Sequence, residues 1–286
     1  MIGVVYPCDA NAIGAVQRVV DEGIARPILI GPPEEIANAA ASAGVDAGTF
    51  EIVATADGPR GAAQHATSMA RAGVVGALMK GSLHTDQLMS SVIHKSTGLR
   101  GTTRTSHTFL FDLPRYPKLL ALADCVVNIS PHLPAKRDIL TNAVDLLRKL
   151  GVGQPKVGIV AAIETVNPVI QATVDAQKLV EQAAEGMWGN AIVEGPLGFD
   201  NAVSAAAARI KKMSSRVAGD ADLLLMPDLN AGNMLYKSFI YIGGGECAGI
   251  VVGTRVPIVL TSRADSLTSR VASVALAMLA SAKAQH

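Results

Sequence analysis

One pattern repeats along most of this chain: a short apolar run rich in Val, Ile and Leu, then a Gly or Pro, a few polar residues and a longer Ala-rich stretch. The runs "IGVVY", "RPILIG", "GVVGALMKG", "PKVGIVA", "AIVEGP", "ADLLLMP", "CAGIVVG" and "VPIVLTS" read as strands, as do "TSHTFLFDLP" (105–114) and "ADCVVNIS". Helices are expected over residues 9–23, 59–72, 135–149, 165–184 and 266–283. Strand, crossover helix, strand is the order that builds a parallel sheet, so the fold class is α/β. The composition agrees: aromatics are only 3% of the 286 residues and hydrophobic residues 49%, which suits central strands buried on both faces.

Several runs end in Gly or Pro followed by polar residues, and ligands meet open α/β sheets at the carboxyl ends of their strands. Other function classes are disfavoured. The 25 basic and 24 acidic residues leave a net charge of +1 with no long run of either sign, so no nucleic-acid surface is expected. Three widely spaced cysteines form no CxxC pair and suggest a reducing, cytoplasmic setting. The opening "MIGVVYPCDA" has no charged leader, and no stretch nears the ~18 apolar residues of a membrane span, so no membrane partner is expected. The six histidines form no HExxH or similar pair, so no metal site is assigned.

Three segments carry candidate chemistry. In "LMKGSLHTDQLMSSVIHKSTGLRGTTRTSHTF" (78–109), a strand runs into Gly81, and Arg100 and Arg104 can hold phosphate through bidentate hydrogen bonds. A solvated loop is the alternative reading. In "AGDADLLLMPDLNAGNMLYKSF" (218–239), a strand ends at Pro227. The "DLNAGN" that follows offers side-chain amides and a helix start whose N–H groups can meet an anion, although Asp228, Asn230 and Asn233 are also good turn and capping residues. In "VPIVLTSRADSLTSR" (256–270), Ser262 and Arg263 fall at a strand end, and Asp265 or Ser266 can cap the next helix. No GxSxG surrounds Ser262, which disfavours a nucleophile-elbow hydrolase.

Taken together, "LMKG", "GLRGTTRTSHTFLFD", "ADCVVNISP", "VEGPLGFDNAVS", "SRVAGDADLLLMPDLNAGNMLYKSF" and "AGIVVGTRVPIVLTSRADS" resemble the phosphate acetyltransferase and phosphate butyryltransferase family, in family order from about residue 78 onward. "VYPCDANAIGAV" and "ARPILIGPP" resemble its start. The resemblance implies acyl exchange between coenzyme A and inorganic phosphate, with coenzyme A a substrate and no bound cofactor. It also implies a homodimer with a two-domain, three-layer α/β/α fold like that of isocitrate and isopropylmalate dehydrogenases. By that analogy the first domain takes residues 1–115 and 254–286, and the second, with the dimer contact, takes 116–253.

Carried over by residue, Ser262 and Arg263 match the family's active-site Ser-Arg pair, and Arg104 in "RTSH" matches its phosphate-contacting arginine. Acyl transfer needs donors for a tetrahedral oxyanion and cations for phosphate, which these residues can supply. The expected catalytic set is Ser262, Arg263 and Asp265; the substrate-binding set is Arg104, Ser106, Asp228, Asn230 and Asn233. The chain departs from the family twice. Ser269 stands where the acetyl branch has a candidate aspartate base, leaving Asp265 as the nearer candidate, and Ser90 aligns with a second family arginine. Those departures leave a second reading, a degenerate member that binds coenzyme A or docks to a partner, including the acyltransferase part of a hydratase fusion.

Overall fold

The computed structural model describes residues 1–260 and 265–282. The chain forms two compact units: Met1–Thr102 with Ala248–His286, and Thr103–Cys247. In the first unit β1 (Ile2–Val5), α1 (Ala10–Asp21), β2 (Pro27–Gly31), α2 (Pro33–Ala43), β3 (Glu51–Ala54), α3 (Gly58–Arg71), β4 (Ala77–Lys80) and α4 (Thr85–Val92) follow one another. Parallel pairing sets Gly3 beside Ile28 on one side of β1 and beside Leu78 on the other.

Local chemistry explains these elements. The Asp9 carboxylate accepts from the Ala12 amide at 2.8 Å and starts α1. Ala12, Val16 and Val19, spaced to share one helix face, are buried. Pro33 opens α2, and Gly44, at φ 68°, ends it in the left-handed conformation that suits glycine. Every residue of β1, β2 and β4 is buried, so both faces of this sheet are covered. On one face Ala62, Ala63, Ala66 and Ala70 of α3 pack on Val5, Ile28, Ile30 and Leu78. Their short side chains let helix and sheet approach closely.

The second unit contains β5 (Ser106–Asp112), β6 (Leu120–Ala123), α5 (Leu133–Lys149), β7 (Lys156–Val160), α6 (Gln171–Ala184), β8 (Ile192–Leu197), α7 (Phe199–Val203), α8 (Ala205–Ile210), β9 (Leu223–Leu225) and α9 (Leu229–Tyr241). Its strands run in the order β5-β6-β9-β7-β8, parallel except for the β5–β6 pair, in which Thr108 faces Ala123. Ile139, Leu140, Ala143 and Leu179 cover one face, while Tyr236 and Phe239 of α9 pack with Phe109 and Phe111 on the other. The chain then returns to the first unit through β10 (Glu246–Val252), β11 (Ile258–Val259) and α10 (Leu267–Ser281), giving the strand order β3-β2-β1-β4-β11-β10 there.

The expected boundaries near residues 115 and 254 fall inside these units. Pairing with β6 draws residues 106–112 into the second unit, and the pairing of Val251 with Ile258 holds β10 in the first. Two elements differ from expectation. "ADCVVNIS" is not a strand: β6 ends at Ala123, and the Asp124 carboxylate accepts from the Val126 and Val127 amides at 2.8 and 2.9 Å, turning the chain away. The helix expected over 165–184 starts only at Gln171, because Asn167 precedes a proline and is biased away from helical backbone. Among the described residues no helix is long and apolar enough to cross a membrane.

Candidate functional site

In the first unit the carboxyl ends of β1 and β4 meet at a tight crossing. The Gly81 amide donates to Val5 O at 2.9 Å and the Ser82 amide to Tyr6 O at 2.8 Å. Only a glycine fits at 81, since a Cβ there would lie 2.6 Å from the Val5 and Tyr6 carbonyl oxygens. Ser82 donates from its hydroxyl to Asp9 Oδ2. Burial raises the Asp9 carboxyl, but the Ser82 and Ala12 hydrogen bonds and the Arg270 charge outweigh it and leave the net shift downward. Beside this crossing, at the end of β4, Lys80 is buried and donates to the Gly81 and Leu83 carbonyls at 3.1 and 3.2 Å.

The register pairs Ile258 with Leu78 and Val259 with Met79, so β11 ends one residue short of the end of β4. Ser262 and Arg263 follow Val259 by three and four residues in sequence and lie outside the described residues. Past that stretch, Asp265 is half-buried and its carbonyl accepts from Arg270 Nε at 3.3 Å. Ser266 caps α10 by accepting from the Ser269 amide. Ser269 itself is buried, its carbonyl accepting from the Ser273 hydroxyl. Ser90 is exposed on α4, where it lines an open groove with Arg60 and Arg71 of α3 and His94. Arg100 directs its Nε to the Ile93 carbonyl.

The second unit holds Arg104. Its backbone is pinned at both ends, the amide donating to Asp138 Oδ2 at 3.1 Å and the carbonyl accepting from Asn142 Nδ2 at 2.8 Å. Its Nε donates to Asn128 Oδ1. Ser106 is fully buried and accepts from Asn142 Nδ2 at 2.9 Å, so it supports the Arg104 loop from inside. Ser106, His107 and Thr108 at the start of β5 are all buried. Burial lowers the His107 pKa to about 4 against the opposing pull of Asp124.

At the start of α9 two of the helix-start amides have protein acceptors. Asp228 accepts from the Ala231 amide at 3.0 Å, and the Leu229 amide donates to Ile129 O at 3.0 Å, so protein acceptors already occupy both groups. Asn233 Nδ2 donates to Cys125 O at 3.3 Å, while Asn230 is exposed. Gly232 lets α9 sit against the Asp124 turn: a Cβ there would be 2.6 Å from Asp124 O. Sequence reasoning assigned no role to Asn128, Asp124 or Lys80. "LMKG" and "ADCVVNISP" contained them, but no local spacing links Asn128 to Arg104.

Mostly parallel sheets covered by helices on both faces, with polar residues at the carboxyl ends of their strands, define an α/β protein, and its likeness to solved phosphotransacylase and 4-hydroxythreonine-4-phosphate dehydrogenase structures gives it the isocitrate dehydrogenase-like fold. The phosphate acetyl/butaryl transferase family model matches residues 59–278, and the chain belongs to that family. It is 46% identical over 282 residues to a phosphate acetyltransferase of Rhizobium meliloti, covering 98% of this chain and 88% of that protein. It is 39% identical over 285 residues to a probable phosphate butyryltransferase of Bacillus subtilis (strain 168), covering 100% and 94%. Among solved structures, a branched-chain phosphotransacylase from Enterococcus faecalis V583 superposes with a TM-score of 0.87 at 30% identity, covering 98% of this chain and 99% of that one.

Proposed function

We infer that this chain transfers a short acyl group, of acetyl or butyryl type, between coenzyme A and inorganic phosphate: acyl-CoA plus phosphate gives acyl phosphate plus CoA. Nearly full-length likeness to proteins named for that activity carries the reading. The reaction moves no electrons between substrates, and coenzyme A takes part as a substrate. A phosphate oxygen attacks the thioester carbonyl, a tetrahedral oxyanion forms, and the CoA thiolate leaves and takes up a proton. Direct transfer between the two bound substrates needs no protein nucleophile.

Arg104 and Arg263 are proposed to hold phosphate and Ser262 to donate to the oxyanion or the CoA sulfur. Asp265 is the proposed base and Asn230 a further substrate contact. Support for Arg104 comes from its loop, which is pinned by Asn142 and Asp138 while the side chain remains exposed. Lys80 joins the set as a buried positive charge at the end of β4, which pairs with β11, the strand that Ser262 and Arg263 follow in sequence. The chain is proposed to act as a cytoplasmic homodimer.

The test is acyl phosphate formation by the purified chain from acetyl-CoA and butyryl-CoA with phosphate, together with Arg263→Ala. Turnover by the parent chain, and its near-complete loss in a folded Arg263→Ala protein, is the expected result. A chain that binds CoA but transfers neither acyl group to phosphate overturns the reading.

A further inference from the structure

Asn128 is buried, and both of its amide hydrogens have acceptors: Nδ2 donates to Asp124 Oδ2 at 2.6 Å and to Thr105 O at 3.1 Å. The amide orientation is therefore set from within the protein, and Oδ1 must face the Nε of Arg104, which donates to it. Asp124 is buried as well and has neutral donors on both oxygens. The Val126 and Val127 amides reach Oδ1; the His107 amide, at 3.1 Å, and Asn128 reach Oδ2. Among the described residues Arg104 forms no ion pair.

We propose that Asn128 is a positioning residue for phosphate binding: its side-chain amide aims Arg104 and stands between that cation and the Asp124 carboxylate. A neutral amide fixes the direction of the guanidinium through one hydrogen bond and leaves its positive charge uncompensated. A carboxylate in the same place would pair with the guanidinium and compete with a phosphate for it. Asp124 then acts at one remove, holding Asn128 as Asn128 holds Arg104. The inference rests on the reading of Arg104 as a phosphate contact.

The test is a double-mutant cycle on the full chain, measuring the KM for inorganic phosphate at saturating acyl-CoA and the KM for acyl-CoA separately. Asn128→Ala is expected to raise the phosphate KM about tenfold, the size of one lost hydrogen bond to a charged group, with the acyl-CoA KM unchanged. Arg104→Ala is expected to raise it more, and Asn128→Ala to add nothing in the Arg104→Ala background. An unchanged phosphate KM in Asn128→Ala, or a full additional effect in the double variant, overturns the role of Asn128 and leaves Arg104 standing. An unchanged phosphate KM in Arg104→Ala overturns the Arg104 reading, and this inference with it. Asn128→Ser serves the same cycle should the alanine variant lose its thermal unfolding transition.

Discussion

The Ser82 hydroxyl donates a 2.7 Å hydrogen bond to Asp9 Oδ2, joining the loop after β4 to the loop after β1 across 73 residues of sequence. The other oxygen of the same carboxylate caps α1. Asp9→Ala therefore removes a cap and an interloop bond together and is expected to cost about 1–3 kcal/mol in denaturant unfolding. The Asp9 pKa is lowered in the fold, so its contribution is present above the unfolded value and lost as pH falls through the folded one. The stability difference between parent and variant should accordingly shrink under acid conditions; a difference that grows there is the opposite of this account.

The carbonyls around Gly81 belong to backbone and cannot rotate aside, so Gly81→Ala forces β1 and β4 apart where they are needed for the site. A loss of more than about 2 kcal/mol is expected, with reduced turnover. Gly14 in α1 is the control: a Cβ there meets nothing within 4 Å, and Gly14→Ala should be neutral or stabilising by up to about 1 kcal/mol. Equal melting temperatures for the two variants would show that the close approach at Gly81 carries no constraint.

His107 stays neutral inside the fold because burial lowers its pKa to about 4. The unfolded chain takes up a proton there near pH 6.5 and the folded chain does not, so this contribution is fully present above that pH. It is lost as pH falls from about 6.5 towards 4. The melting temperature of the parent should fall over that interval, and His107→Gln should flatten the slope. An unchanged slope in the variant would place the titrating group elsewhere.

Lys80 places an ammonium in the interior at the end of β4. Lys80→Met keeps most of the volume and removes the charge. With the variant still showing a cooperative thermal unfolding transition, kcat/KM is expected to fall at least about tenfold. Full activity in Lys80→Met would remove this residue from the proposed set.

Much of the architecture is legible in the chain because parallel strands buried on both faces leave continuous apolar runs. "RPILIG" and "PKVGIVA" contain the strands expected of them, and "AIVEGP" and "CAGIVVG" cover all but one residue of theirs. "ADCVVNIS" misleads because the Asp124 carboxylate captures two following amides, and side-chain capture of backbone leaves no mark in hydrophobic periodicity. "RTSH" is readable as a polar loop carrying an arginine, but the burial of Ser106 and its hydrogen bond from Asn142 become visible only in the fold.

By itself the sequence determined the α/β class, the strand-then-helix order and the run of family-like segments ending in "IVLTSRADS", since each is written in neighbouring residues. Only the tertiary structure decided which polar residues act on one another. The register of β5 on β6 brings the strand that follows Arg104 alongside the strand that leads into Asn128, 24 residues on, and the crossing at Gly81 sets Ser82 against Asp9. Contacts of that kind come from how strands pair and side chains pack, and residue spacing along the chain does not encode them.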